Sequence, residues 1–293
     1  FYTRARNFSS CRERALFGGD IPVTVYDGLL EAVAEKLPVL HDYVELRGKV
    51  LGLENLKMYD MYVPMFEAFE GEYTFEDACS LVLEALSPLG ERYISVLKRA
   101  FSEGWIDVFE TKGKSSGAYS WGAYGTHPYM LLNFQGRLDD AFTLAHEAGH
   151  SMHSYFSDEA QAYPKAQYLI FVAEVASTVN EVLMLKHLIS KTEDDGMKKY
   201  LLEFFLEQFR TTVFRQSMFA EFELMTHERA ERGESLTREW LCESYGGLNK
   251  KYYGSAVETD ELISLEWARI PHFYRAFYVY QYATGFCAPI PKK

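Results

Sequence analysis

Two histidines four residues apart, with a glutamate directly after the first, stand in the stretch Phe142–Ser157 as His146-Glu147-Ala148-Gly149-His150. On a helix, residues four apart share a face, so both imidazoles can point into one site. The carboxylate of Glu147 can then address a water on a metal held between them. Catalytic zinc usually takes three protein ligands and keeps a further position for water. The H-E-x-x-H pattern therefore predicts two ligands and a base, and leaves one ligand to be found.

Glu174 is the candidate for that ligand. It is an acid in the apolar run Phe171–Thr178, 24 residues after His150. A buried glutamate needs a partner or a metal. Glu181 lies seven residues on, on roughly the same face, and is expected either to hold a ligand histidine from behind or to serve as a salt-bridge or capping acid. Zinc lowers the pKa of its water, Glu147 would take the proton as that water attacks a peptide carbonyl, and the oxyanion formed would need further donors. Residues 272–282 offer His272, Tyr274, Tyr278, Tyr280 and Tyr282, although core packing is the expected fate of several. His153 falls off the four-residue ligand step and reads as a packing or surface residue, with a supporting place behind the metal as the alternative. His127, before Pro128, reads either as a substrate donor or as a turn histidine. Glycines 113, 117, 122 and 125 suggest a mobile substrate loop or plain turns, without a phosphate-loop pattern.

The elements that must position these residues are mostly helical. Residues 1–21 read as a helical start. Thr24 with Asp27 is expected to cap a helix whose apolar positions run from Leu29 to about Arg47, with Pro38 as a kink. Leu51–Phe69 is mixed, broken at Pro64. Thr74-Phe75-Glu76-Asp77 is a capping box opening helices over 75–86 and 89–103. Trp105–Phe109 and Tyr129–Phe134 are strand-like and predict a hairpin or small sheet. The metal helix is expected over Arg137–Ser157, a polar loop over Asp158–Pro164, and a long helix over Lys165–Ser190. A longer one follows over Met197–Glu231, with Leu202, Phe205, Phe209, Val213 and Phe214 as its apolar stripe. Ser235 is expected to cap a short helix to about Tyr245, Gly246, Gly247 and Gly254 to form a loop, and Thr259–Ala268 to return to helix. No internal repeat or linker divides the chain, so one catalytic region spans 1–293: a helical lead-in (1–104), a strand and glycine-rich substrate segment (105–136), a zinc-binding helix pair (137–190) and a helical His/Tyr segment (191–293).

Composition narrows the partners. At 293 residues, 48% hydrophobic and 25% charged, the chain can build a sizeable core. A net charge of -12 argues against nucleic acid and shows no basic patch for a membrane. Cys11, Cys79, Cys242 and Cys287 are scattered, which suits free thiols in a reducing compartment. No apolar run is long enough to span a bilayer and no signal peptide opens the chain, so a cytoplasmic location is expected.

His146–His150, Asn133–Arg137 before it and Ala173–Glu181 after it resemble the oligoendopeptidase F branch of the thimet oligopeptidase family of zinc metallopeptidases. Gly52–Pro64, Tyr129–Phe134, Arg269–Tyr274 and Tyr282-Ala283-Thr284-Gly285 fit the same family. The resemblance implies a mainly α gluzincin-like metallopeptidase with a small sheet beside the zinc helix, and a channel admitting short unstructured peptides. It implies one Zn2+ per chain on His146, His150 and Glu174, with Glu147 as general base. His272 and Tyr278 match the residues that stabilise the transition state, with Tyr274 and Tyr280 as further candidates. Family members are about twice as long, so the sequence is read as a piece of such an enzyme. An impaired peptide-binding or structural remnant is the alternative, and an exopeptidase of a related class a third reading.

Overall fold

The computed structural model describes residues 1–66 and 71–288. The helices are α1 (Tyr2–Ala5), α2 (Cys11–Phe17), α3 (Val23–Leu51), α4 (Phe75–Ala85), α5 (Glu91–Ser102), α6 (Leu138–Ala160), α7 (Tyr163–Ala166), α8 (Ile170–Lys191), α9 (Asp195–Gln208), α10 (Arg215–Glu231), α11 (Arg238–Tyr253) and α12 (Tyr280–Cys287). Five short strands join them: β1 (Leu56–Lys57), β2 (Ile106–Asp107), β3 (Tyr119–Trp121), β4 (Tyr129–Leu131) and β5 (Val257–Glu258). The chain divides into two compact units, one of Phe1–Met65 with Leu206–Thr284, the other of Phe66–Phe205 with the residues from Gly285 on. The fold is mainly α with small sheets, as the sequence implies.

The unit built mainly from Phe66–Phe205 holds the metal-type motif. The expected capping box opens α4: the Thr74 hydroxyl accepts from Asp77 N–H and the Asp77 carboxylate accepts from Thr74 N–H, both at 3.1 Å. Asp140 does the same for α6, accepting from Arg137 N–H at 2.8 Å. One face of α6, with Leu138, Ala141, Phe142, Leu144, Ala145, Ala148 and Met152, is buried in a core shared with α4, α5, α8 and Trp105. The expected small sheet has three strands in the order β2-β4-β3, β2 parallel and β3 antiparallel to β4. Its third strand, β3, lies in the glycine-rich stretch. The expected loop at Asp158–Pro164 is shorter than predicted, because α6 runs to Ala160 and α7 starts at Tyr163; α8 begins at Ile170 rather than Lys165.

In the unit of Phe1–Met65 and Leu206–Thr284, α3, α10 and α11 pack together and β1 pairs in parallel with β5, Leu56 opposite Val257. Several expectations change here. Extended Pro22 precedes α3, so Thr24 lies inside the first turn rather than capping it. Pro38 does not interrupt α3, whose buried face of Val33, Leu37, Leu40, Tyr43 and Val44 runs past it. Thr237, not Ser235, caps α11, accepting from Trp240 N–H at 3.3 Å. Gly246 and Gly247 are helical: burial of Tyr245, Leu248, Asn249, Tyr252 and Tyr253 outweighs a cost of about 1 kcal/mol per glycine. Gly254, with φ +70°, then ends α11. Thr259–Ala268 is not an α-helix; a 3-10 segment covers Ile263–Arg269. The long helix after Asp195 changes pitch in a π segment at Phe209–Phe214, so one stripe does not persist, and Leu202 is 50% exposed. The Leu51–Phe69 segment contains β1 and a 3-10 turn at Met58–Tyr62, with residues 67–69 outside the described residues, as are residues 289–293 of the C-terminal end.

Candidate metal centre

Helices α6 and α8 pack along each other within one unit, and their facing residues converge. His146 Nε2 lies 3.1 Å from His150 Nε2. Glu174 Oε2 lies 3.4 Å from the first and 3.5 Å from the second. These are the edges of a nearly equilateral triangle. A tetrahedron around an ion with ligands at about 2.0–2.1 Å has edges of about 3.3 Å. The three atoms thus fit one face of such a tetrahedron, with the fourth corner left for water or substrate. Two neutral imidazoles and a carboxylate are also a donor set suited to zinc.

The supporting contacts are specific. Glu181 Oε1 accepts from His146 Nδ1. A carboxylate only accepts, so Nδ1 carries the proton and Nε2 presents its lone pair to the site. The Ser177 hydroxyl donates to Glu174 Oε2 at 3.1 Å, and Thr178 donates to the Glu174 carbonyl. Asn180, 1% exposed, ties α8 to α6 by donating to the Ala145 carbonyl at 2.9 Å. Gly285 lies so close to Glu174 that a Cβ on it would stand 2.8 Å from Glu174 Cβ.

Electrostatics follow from this crowding. Burial opposes charge on His146, but the Glu181 hydrogen bond and nearby carboxylates outweigh it and raise its pKa. For Glu174, burial would raise the pKa, and His150 and His146 overcome that and lower it. Burial raises the pKa of Glu147, against the pull of His146 and His150. Glu147 is 6% exposed, and its Oε2 is buried with no hydrogen-bond partner among the described residues. A buried, unpaired carboxylate oxygen on a group electrostatically coupled to His146, His150 and Glu174 is poised to take a proton or a polar ligand.

The other sequence candidates divide. His153 stacks on Tyr168 with ring centroids 3.6 Å apart, the packing role expected. His127 bonds through Nδ1 to the Pro128 carbonyl at 2.8 Å and stacks on Trp105, as a turn histidine does. In the other unit, His272 and Tyr278 have parallel rings 6.2 Å apart, and the Tyr278 and Tyr282 hydroxyls are 3.1 Å apart. Tyr274 is 90% exposed. Tyr280 is 1% exposed and packs on Tyr26, which suits core packing rather than presenting a hydroxyl to a substrate. Sequence reasoning missed Asn180, Ser177 and Gly285 as supports. Asn180 alone carried a signal, as an amide beside Glu181 in an apolar helix.

An H-E-x-x-H helix backed by a carboxylate from a following helix defines the zincin class of site. Residues 2–293 match the model of peptidase family M3, and the chain belongs to that family. It is 50% identical over 288 residues to the oligopeptidase PepF of Bacillus subtilis (strain 168), covering 98% of this chain and 43% of that protein. It is likewise 50% identical to an oligoendopeptidase F homolog of Lactococcus lactis subsp. lactis, covering 97% of this chain and 47% of the relative. The crystal structure of oligoendopeptidase-F from Enterococcus faecium superposes with a TM-score of 0.74 at 41% identity, over 98% of this chain and 44% of that one. The chain spans about half the length of the curated relatives it matches.

Proposed function

We propose that the chain carries the catalytic centre of a zinc-dependent endopeptidase that cuts internal bonds of short, unstructured oligopeptides. The observation that carries this reading is the triangle of His146, His150 and Glu174, with the buried carboxylate of Glu147, its Oε2 unpaired, in electrostatic reach of all three. Zinc bound by those three residues would supply Lewis acidity and a water of lowered pKa. Glu147 accepts the proton of the attacking water and delivers it to the leaving amine as the C–N bond breaks. Its raised pKa suits a group that must both take and return a proton. Glu181 keeps the His146 lone pair aimed at the ion. For His272 and Tyr278, whose rings lie parallel within their own unit, we keep the transition-state role that the family resemblance implies. Tyr274 and Tyr280 are left out of it, on their exposure and burial respectively.

Among the described residues no helix is long and apolar enough to cross a membrane. Four free cysteines and the family resemblance support work in the cytoplasm.

The test is metal analysis combined with cleavage of an internally quenched fluorescent peptide. About one zinc per chain and chelator-sensitive cleavage at an internal bond are expected. Absence of cleavage at high enzyme concentration would sink the endopeptidase reading. Zinc binding without turnover would favour an impaired peptide-binding or structural remnant. Release of single terminal residues would point to an exopeptidase.

A further inference from the structure

The turn that delivers Tyr278 is one that a side chain resists. Phe277 has φ +55°. This left-handed conformation costs a non-glycine residue on the order of 1 kcal/mol or more and persists only where the surroundings enforce it. Phe277 is 3% exposed, its ring 5.7 Å from that of Tyr26 and 4.7 Å from that of His227. Packing holds the ring, but the backbone needs its own anchor, because a buried N–H without an acceptor is costly. That anchor is Glu223 on α10, whose Oε1 accepts from Phe277 N–H at 2.7 Å.

Glu223 is an unusual choice for the task. It is 2% exposed, and its Oε2 has no hydrogen-bond partner among the described residues. Burial pushes its pKa up to about 8, the Phe277 hydrogen bond opposing. An acid buried for one backbone amide adds little to a core that an apolar side chain would fill more cheaply. The residue it fixes is followed at once by Tyr278. There, the Arg275 guanidinium lies 4.3 Å from the Tyr278 ring centre, His272 stacks parallel to that ring, and the hydroxyl meets that of Tyr282. Tyr278 N–H donates to the Arg275 carbonyl at 3.2 Å and Arg275 N–H to that of His272 at 2.9 Å. The direction of the Tyr278 side chain therefore depends on the backbone that Glu223 pins.

We propose that Glu223 is a positioning residue for Tyr278: by accepting the Phe277 N–H it locks the left-handed turn that sets the Tyr278 ring parallel to His272 and its hydroxyl against that of Tyr282. The inference rests on the transition-state role proposed above for Tyr278. Glu223 touches no substrate; it acts through the turn.

The test uses the full chain loaded with zinc, as wild type, Glu223→Gln, Glu223→Met, Tyr278→Phe and the double variant. Hydrogen–deuterium exchange over residues 272–282 reads the anchor directly and needs no activity. Exchange there rises roughly tenfold in Glu223→Met and stays near wild type in Glu223→Gln, which keeps the acceptor. On the fluorescent peptide, kcat falls roughly 10- to 100-fold in Glu223→Met with KM within about twofold, and Glu223→Gln restores it. The double variant is no slower than Tyr278→Phe alone, since both remove one function. If Glu223→Met does not fold, Glu223→Asp withdraws the acceptor by one methylene and shows the same pattern in smaller measure. Unchanged exchange over 272–282 overturns the proposal whatever the activity. Looser exchange with unchanged kcat, or an additive double variant, overturns the link to Tyr278. A wild-type chain that cuts nothing refutes the peptidase reading, and the exchange measurement still decides whether Glu223 anchors the turn.

Discussion

Gly149 sits between the two histidines of the motif, where α6 meets α8, and replacing it with alanine tests the whole site. A Cβ there would stand 2.5 Å from Ser177 Cα, 2.7 Å from Ser177 N and 2.8 Å from the Ala176 carbonyl carbon. Ordinary contact begins at 3.4 Å, so the helices must part by about 0.9 Å. The obstructing atoms are backbone, and no side chain can swing aside. Overpacking costs about 1–3 kcal/mol, whereas alanine gains about 1 kcal/mol over glycine in a helix interior. With backbone on both sides the steric cost lies at the upper end, and a net loss of about 1–2 kcal/mol is expected. The consequence for the site is larger. His150 follows Gly149 and Ser177 holds Glu174, so the same separation stretches the 3.5 Å edge between His150 and Glu174. Metal sites tolerate displacements of only about 0.5 Å, so zinc affinity drops at least roughly tenfold. Urea unfolding of the metal-free protein measures the first effect, and competition against a chromophoric chelator the second. If Gly149→Ala is as stable as wild type and binds zinc within twofold, the close approach of α6 and α8 does not constrain the site and the reasoning is refuted.

Three further outcomes follow from the same geometry. Glu181→Ala releases the His146 tautomer and weakens zinc binding about 10- to 100-fold in the same competition assay; unchanged affinity would deny Glu181 its supporting role. Glu147→Gln keeps one zinc per chain and lowers kcat by about two to four orders of magnitude; retained turnover would remove Glu147 as the base. Glu223 makes stability pH-dependent. Its folded pKa of about 8 exceeds its ordinary 4.5, so between those values the folded chain holds a proton that the unfolded chain lacks. Its contribution is intact below about pH 4.5 and is lost as pH rises toward 8, a change of several kcal/mol at most. Urea midpoints at pH 5.5, 7 and 8.5 should show Glu223→Gln gaining on wild type with rising pH; parallel curves would show that Glu223 is not buried as an acid.

The four residues that converge at the candidate metal site stand out in the sequence because their signals are local. His146 and His150 share a helix face by spacing, and Glu174 and Glu181 stand out as acids in an apolar run. The Thr74–Asp77 box was legible for the same reason. What escaped depends on packing between distant segments. Gly285 contacts Glu174 across 111 residues, and no periodicity encodes that. β3 reversed the usual alternation: Tyr119 and Trp121 are 52% and 68% exposed, while Ser120 turns inward to bond the buried Ser151 at 2.8 Å. An alternation of aromatic-out and polar-in does not read as a half-buried strand. Gly246 and Gly247 look like a loop only until the tyrosines that bury around them are known.

The division of the chain has a kinetic corollary. The unit carrying the metal-type site is nearly continuous, whereas β1 and β5 of the other meet only when Leu56 finds Val257. Closing a loop costs an entropy that grows with the logarithm of its length, so organising residues 66–205 first shortens the later search by about 1 kcal/mol. In pulse-labelled refolding, amides of α6 and α8 should be protected before those of β1 and β5; the reverse order would refute a nested sequence. On this route His146, His150 and Glu174, the three candidate ligands, all lie in the inner loop and are assembled before the outer unit closes.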